Sequence, residues 1–260
     1  MIFFRQLKSL VKLSLLDLWR RNEVFALLLL ALALSVPVSA MKPFGVSGGS
    51  RAAQETALLM IWAFSGFVAI GTGARLFPPE FESRTALALF AKPVSRFRIL
   101  LGKFLGAWIA SLSALVVFYA LFSTARAFFC GGHGLGVDFW QAFALHAAFM
   151  AIAVAVSLFL SLILSSGTAF ALSALALGGM LLFGRELLDL GANAPVFAKL
   201  FAYAAYAALP HGEFFDMRLR LVHAWGPVAW PVFFAALAYA VAYVAALLGL
   251  SAFALGRRKC

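Results

Sequence analysis

Residues 77–106 read FPPEFESRTALALFAKPVSRFRILLGKFLG, a charged island between two long apolar runs. With Arg75 it gathers six of the chain's 21 basic residues: Arg75, Arg84, Lys92, Arg96, Arg98 and Lys103. Pro78 and Pro79 suit the start of a helix, because a first-turn residue has no intrahelical use for the N–H that proline lacks. Glu80 and Glu82 follow, placed where the positive end of the helix dipole favours carboxylates. Phe81, Thr85 and Leu89 then recur at a four-residue spacing, so an aromatic, a hydroxyl and an aliphatic side chain share one face of a helix about three turns long. Lys92-Pro93 ends it, and Ser95 is placed to cap the next helix. The stretch is expected to form a short amphipathic helix in a loop, 78–96, between two membrane spans. A solvated loop whose basic residues only fix topology is the plainer alternative.

The rest of the chain supplies the membrane. Of its 260 residues, 64% are hydrophobic and 12% charged, about half the charged share of a soluble domain. Apolar runs cover 24–40, 55–77, 97–125, 139–165, 168–184 and 229–256, each near or above the roughly 17 to 25 residues that cross a hydrocarbon core. The expected fold is an all-α integral membrane protein with six transmembrane helices over residues 23–260. Fourteen of the 21 lysines and arginines fall on the side of the two termini and the 78–96 loop, and seven on the other. Both termini and that loop are therefore expected in the cytoplasm. The net charge of +11 is a topology signal that also favours anionic lipid. Nucleic acid is not expected as a partner, because the basic residues are split among loops.

In chain order, residues 1–22 place Phe3, Leu7, Leu10, Val11 and Leu18 on one helical face and Arg5, Lys8 and Lys12 on another, the pattern of an interfacial helix. No convincing small-residue cleavage site follows, so a signal peptide is not expected. Small residues at Ser65, Ala69 and Gly73, and at Gly102, Gly106 and Ala110, mark seams where helix backbones approach closely, either within one chain or between two copies. Lys103 and Arg98 are expected to snorkel to water from the first turns of the third span. Ser165-Ser166-Gly167 should turn the fourth span directly into the fifth. Residues 185–228 form the longest segment on the outer side, with two apolar stretches around Leu209-Pro210 that are too short to span; two helices dipping into the outer leaflet fit them.

In its wording the loop resembles the permease subunits of type-2 ABC transporters, the ABC-2 family. The likeness is carried by Glu80, Glu82, Thr85, Pro93-Val94-Ser95-Arg96 and Gly102-Lys103, in that order. It implies a coupling helix docking on a separate ATPase subunit, with Glu80, Phe81, Glu82, Arg84, Thr85, Leu89, Lys92, Pro93 and Arg96 as the coupling residues. It also implies that residues 1–22 are a cytoplasmic elbow helix, that 185–228 hold a re-entrant hairpin between spans five and six, and that two permease copies, as a homodimer, work on two ATPases in a bacterial inner membrane. Size and layout are similar to the permeases of copper-enzyme maturation systems, and equally to exporters of drugs, lipids or polysaccharides.

Chemistry is sparse. Apart from Glu23, Glu55, Arg75, Arg98 and Lys103 in terminal turns, no span carries Asp, Glu, Lys or Arg, which argues against an ion-driven carrier. No Gly-x4-Gly-Lys-Ser/Thr phosphate loop is present, so the chain is not expected to be an enzyme. ATP and Mg would sit on the partner ATPase, with no cofactor on this chain. His211, Glu213, Asp216 and His223 match no zinc spacing, and no metal is expected there. His146, inside a span, is expected to hydrogen-bond a neighbouring helix. Two other functions stay open: a non-transporting permease that transmits motion to a periplasmic partner, and a passive channel without an ATPase.

Overall fold

A computed structural model of the protein describes Leu16 and residues 49–82, 96–130, 136–193 and 195–257. The expected span at 24–40 and, Leu16 aside, the interfacial helix at 1–22 lie outside the described residues. So do Arg84, Thr85, Leu89, Lys92 and Pro93.

Every regular element among the described residues is helical. In chain order they are α1 (Gly49–Ala74), α2 (Pro78–Glu82), α3 (Arg96–Cys130), α4 (Val137–Ser161), α5 (Ser166–Asn193), α6 (Val196–Ala208), a 3-10 turn (Gly212–Phe215), α7 (Arg218–His223) and α8 (Trp230–Arg257). Among the described residues four stretches are long and apolar enough to cross a membrane: Gln54–Glu82, Arg96–Thr124, Val137–Ser161 and Trp230–Arg257. Ser166–Leu181, at the start of α5, is a shorter apolar stretch. As a helix α5 runs on to Asn193, nine residues beyond the expected end at 184.

The bundle is built around α4. It packs against α1, α3, α5, α7 and α8 and against the 3-10 turn, and residues 149–158 are buried without interruption. A helix apolar on every side has nowhere else to go. Its hydroxyls bond to their own helix: Ser157 donates to the Ala153 carbonyl at 2.8 Å and Ser161 to that of Leu158 at 2.7 Å, so no polar group is left over in an apolar setting. α8 is the contrasting helix, with Val232, Phe234, Val241, Leu250 and Phe253 all exposed.

The first small-residue seam lies within the chain. Ser65 and Ala69 are fully buried, and the missing side chain of Gly73 admits α4: a Cβ there would collide with the Ser157 hydroxyl and stand 2.8 Å from the Val154 carbonyl oxygen. Gly102, Gly106 and Ala110 on α3 are buried too. α4 turns into α5 through Leu162–Ser165, where the Thr168 hydroxyl donates to the Ser165 carbonyl at 3.0 Å.

Candidate functional site

The C-terminal ends of α1 and α8 and the N-terminal end of α3 meet at one end of the bundle, beside α2. Pro78 and Pro79 open α2 as their chemistry demands, and the Phe77 carbonyl accepts the N–H groups of Glu80 at 3.0 Å and Phe81 at 3.1 Å. Lys103, in the second turn of α3, is the anchor. Its ammonium donates to the Leu76 carbonyl at 2.6 Å, lies 2.5 Å from Glu80 Oε2, and sits 4.4 Å from the centre of the Phe77 ring. The Lys103 side chain is 8% exposed and that of Glu80 30%.

This differs from the snorkelling expected of Lys103. A lysine stem that reaches back toward α1 finds a carbonyl, a carboxylate and an aromatic face together. Three compensating contacts hold the ammonium where water is scarce. Arg98, by contrast, is exposed.

Arg96 ties the other end of the 78–96 loop to the bundle. Its guanidinium donates from Nη1 to the carbonyls of Leu255 at 2.9 Å and Gly256 at 3.1 Å, satisfying two of the orphan acceptors at the C-terminus of α8 and placing positive charge at its negative dipole end. The loop is thus clasped at both ends to three long helices. Phe81 stacks on Phe77, ring centres 5.8 Å apart, and is packed against the core. Glu82 is exposed. Of the expected coupling residues the structure therefore places Glu80 and Phe81 at one end of the loop and Arg96 at the other. Lys103, absent from that set, is what holds Glu80, and its sequence signals are the Gly102-Lys103 pair of the resemblance and an opposite charge across the loop from Glu80.

The opposite end is closed by the segment after α6. Gln141, 2% exposed, bonds both ways to the Val228 backbone: Nε2 donates to the carbonyl at 3.0 Å, and Oε1 accepts the N–H at 2.8 Å. His223 meets Glu55 at 3.0 Å. Arg218 grips Asp216 through Nε at 2.8 Å and Nη2 at 2.6 Å, and lies over the Trp62 ring. Burial pushes the Asp216 carboxyl up, but hydrogen bonds and charge from Arg218 outweigh it and leave the group below its ordinary value. His211 shares a hydrogen bond with the Tyr239 hydroxyl at 3.1 Å. Burial holds the His211 imidazole below its usual range, with Glu213 opposing. His211, Asp216 and His223 of this segment thus go to separate partners. Between the two ends, His146 contacts Ser65 Oγ at 2.7 Å and the Tyr119 hydroxyl at 3.3 Å, so it does bond neighbouring helices.

Residues 16–188 match a family model described as ABC-2 family transporter protein. No curated protein matches the chain.

Proposed function

This chain belongs to the ABC-2 transporter family, and on that premise we propose that it is the multi-pass permease subunit that couples ATP hydrolysis, carried out by a separate ATPase subunit, to export of a substrate across a bacterial inner membrane. Both termini and the 78–96 loop face the cytoplasm, and two copies pair on two ATPases. Residues 78–96 are the coupling segment, 1–22 the elbow, and 185–228 the outer re-entrant hairpin. The chain carries no ATP site; ATP and Mg belong to the partner.

The observation that supports this reading best is the double clasp, Lys103 on Glu80 and Leu76, Arg96 on Leu255 and Gly256. A loop that only set topology would need no such fastening. A loop that must pass a push to the spans needs it, since displacement spreads through rigid contacts and is lost in slack ones. Glu82, exposed at the tip of α2, is then a docking contact, while Glu80 and Phe81 brace the tip from behind.

The test is a pull-down of the tagged chain in mild detergent with an ATPase assay on what co-purifies. A nucleotide-binding subunit with vanadate-sensitive hydrolysis is the expected result. A chain that purifies alone and without ATPase activity overturns the proposal.

A further inference from the structure

Three buried polar side chains from three helices meet inside the bundle: Ser65 of α1, Tyr119 of α3 and His146 of α4. Ser65 Oγ lies 2.7 Å from His146 Nε2 and 3.1 Å from the carbonyl oxygen of Trp62, one turn back on α1. The Tyr119 hydroxyl lies 3.3 Å from His146 Nδ1. The ring of the same Trp62 carries the Arg218 guanidinium at 5.5 Å, so the cluster lies directly under the outer segment.

Counting protons gives these contacts a direction. A neutral imidazole carries one N–H, and each hydroxyl carries one O–H. With the ring proton on Nε2, Tyr119 donates to Nδ1, Nε2 donates to Ser65 Oγ, and Ser65 donates to the Trp62 carbonyl. Every proton then has an acceptor. With the ring proton on Nδ1, Ser65 must turn to Nε2 and the ring must donate to the Tyr119 oxygen. The Tyr119 hydroxyl proton is left buried with no other acceptor among the described residues. An imidazolium strands the same proton, since both of its nitrogens donate. A buried donor without a partner is the costly case, so the geometry selects the neutral ring with its proton on Nε2.

The outer segment is fastened to both of the helices that this ring joins most closely. His223 on Glu55 and Arg218 over Trp62 hold it to α1, while Gln141 on the Val228 backbone holds it to α4. If α1 slid along α4, the segment would be pulled apart between Glu55 and Gln141. Apolar contact is non-directional and tolerates sliding. A 2.7 Å hydrogen bond in an apolar setting does not, because a small slip leaves its groups unpaired. We propose that His146, neutral and protonated on Nε2, is a positioning residue of the coupling path: it locks α1 to α4 in one register, with α3 attached through Tyr119. A push received at the Lys103–Glu80 clasp then reaches the outer segment and is not lost as slip between spans. The inference rests on the permease reading for the push itself; the protonation pattern is measured without ATP.

The first experiment is solid-state nitrogen NMR of the full chain, labelled at histidine, in lipid vesicles at neutral pH. His146→Gln identifies the His146 signals by their loss. Nε2 is expected protonated and Nδ1 bare, and Tyr119→Phe should move the Nδ1 resonance. A proton on Nδ1, or on both nitrogens, overturns the proposal. The second experiment follows amide exchange of the chain with its co-purifying ATPase in nanodiscs, nucleotide-free and trapped with ATP and vanadate. Trapping should change exchange over 78–82 and over α7. In His146→Leu the change over 78–82 and ATP hydrolysis should remain, while the change over α7 is lost. Ser65→Ala should act alike, and joining the two substitutions should add nothing, because both break one link. His146→Gln, whose amide can still donate to Ser65, should restore the change. A residue that only stabilised the fold would alter exchange equally in both nucleotide states and leave their difference in place; that result overturns the coupling role. Ser65→Ala removes a single hydroxyl, so it decides the matter if His146→Leu does not fold. Trapping that changes 78–82 and never α7 in the native chain overturns the inference and leaves the permease reading in place. Absence of any ATPase removes that reading and the coupling role with it.

Discussion

Lys103 Nζ stands 2.5 Å from Glu80 Oε2 and 2.6 Å from the Leu76 carbonyl oxygen, so one ammonium joins the end of α1, the short helix α2 and the base of α3. Any displacement of α2 is felt at once by two long helices. On the proposed coupling role, this is the place where a push from the ATPase would enter the bundle.

Lys103→Met should therefore weaken both fold and coupling. Removing one member of a largely buried pair costs several kcal/mol, discounted here because the Glu80 side chain keeps 30% of its exposure; about 2 kcal/mol is expected. Adding Glu80→Gln should recover part of that, since no orphan carboxylate remains. Thermal unfolding of the single and double variants in detergent checks the non-additivity. Identical losses in both would mean that the pair contributes nothing.

Arg96→Gln should loosen the end of α8 without unfolding the bundle. The guanidinium donates to two terminal carbonyls, and charge-assisted bonds of this kind contribute about 1 to 2 kcal/mol. Amide exchange over residues 252–257 should speed up roughly tenfold, the equivalent of about 1.4 kcal/mol. Unchanged exchange there would remove Arg96 from the clasp.

Gly73→Ala should be costly and Gly66→Ala neutral or better. At Gly73 the new methyl strikes the Ser157 hydroxyl and comes within 2.8 Å of the Val154 carbonyl oxygen, and the backbone member of that pair cannot swing away. Overpacking of this sort costs about 1 to 3 kcal/mol. At Gly66 the methyl meets none of the described residues within 4 Å, and alanine gains close to 1 kcal/mol of helix propensity. Melting temperatures of the two variants should move in opposite directions.

Acid should loosen the far end through His211. Its folded-state value lies below the ordinary 6.5 because burial disfavours the imidazolium. The unfolded chain therefore takes up a proton first as pH falls through about 6.5, and the stability that neutral His211 supplies above that point is lost toward its folded value. Asp216, also held low, keeps its contribution until pH falls past its ordinary 3.8 and on through its folded value. A melting-temperature scan from pH 7.5 to 5 should slope downward in the native chain and less steeply in His211→Gln. An equal slope in both would assign the effect elsewhere.

Gln141→Leu should cost about 2 kcal/mol, because it leaves the buried-side Val228 N–H and carbonyl without their partner. The loss should be read as faster exchange near residues 226–229.

Much of the fold was legible because its causes are local. The apolar runs that became α1, α3, α4, α5 and α8 are set by the requirement that backbone polar groups in an apolar medium bond within their own helix. Pro78-Pro79 before two glutamates forecast where α2 begins, and Ser165-Ser166-Gly167 where α4 gives way to α5. His146 was legible as an interhelical hydrogen-bonding group, but its partners Ser65 and Tyr119 were not. α5 outran its forecast end because polar residues from Arg185 onward read as the edge of a span, although a helix that leaves an apolar layer has no reason to stop there.

By itself, then, the sequence determined the helical class, the apolar stretches and the uneven sharing of positive charge between loops, since these follow from hydropathy, proline chemistry and charge counted along the chain. Only the tertiary structure decided that Lys103 turns inward to Glu80, that Arg96 caps a helix through a carbonyl 159 residues later, that the Ser65–Gly73 seam joins α1 to α4, and that a side chain at Gly73 would strike α4 while one at Gly66 would meet none of the described residues. Each depends on which surfaces meet after packing, and spacing along one chain carries no record of the distance between two helices.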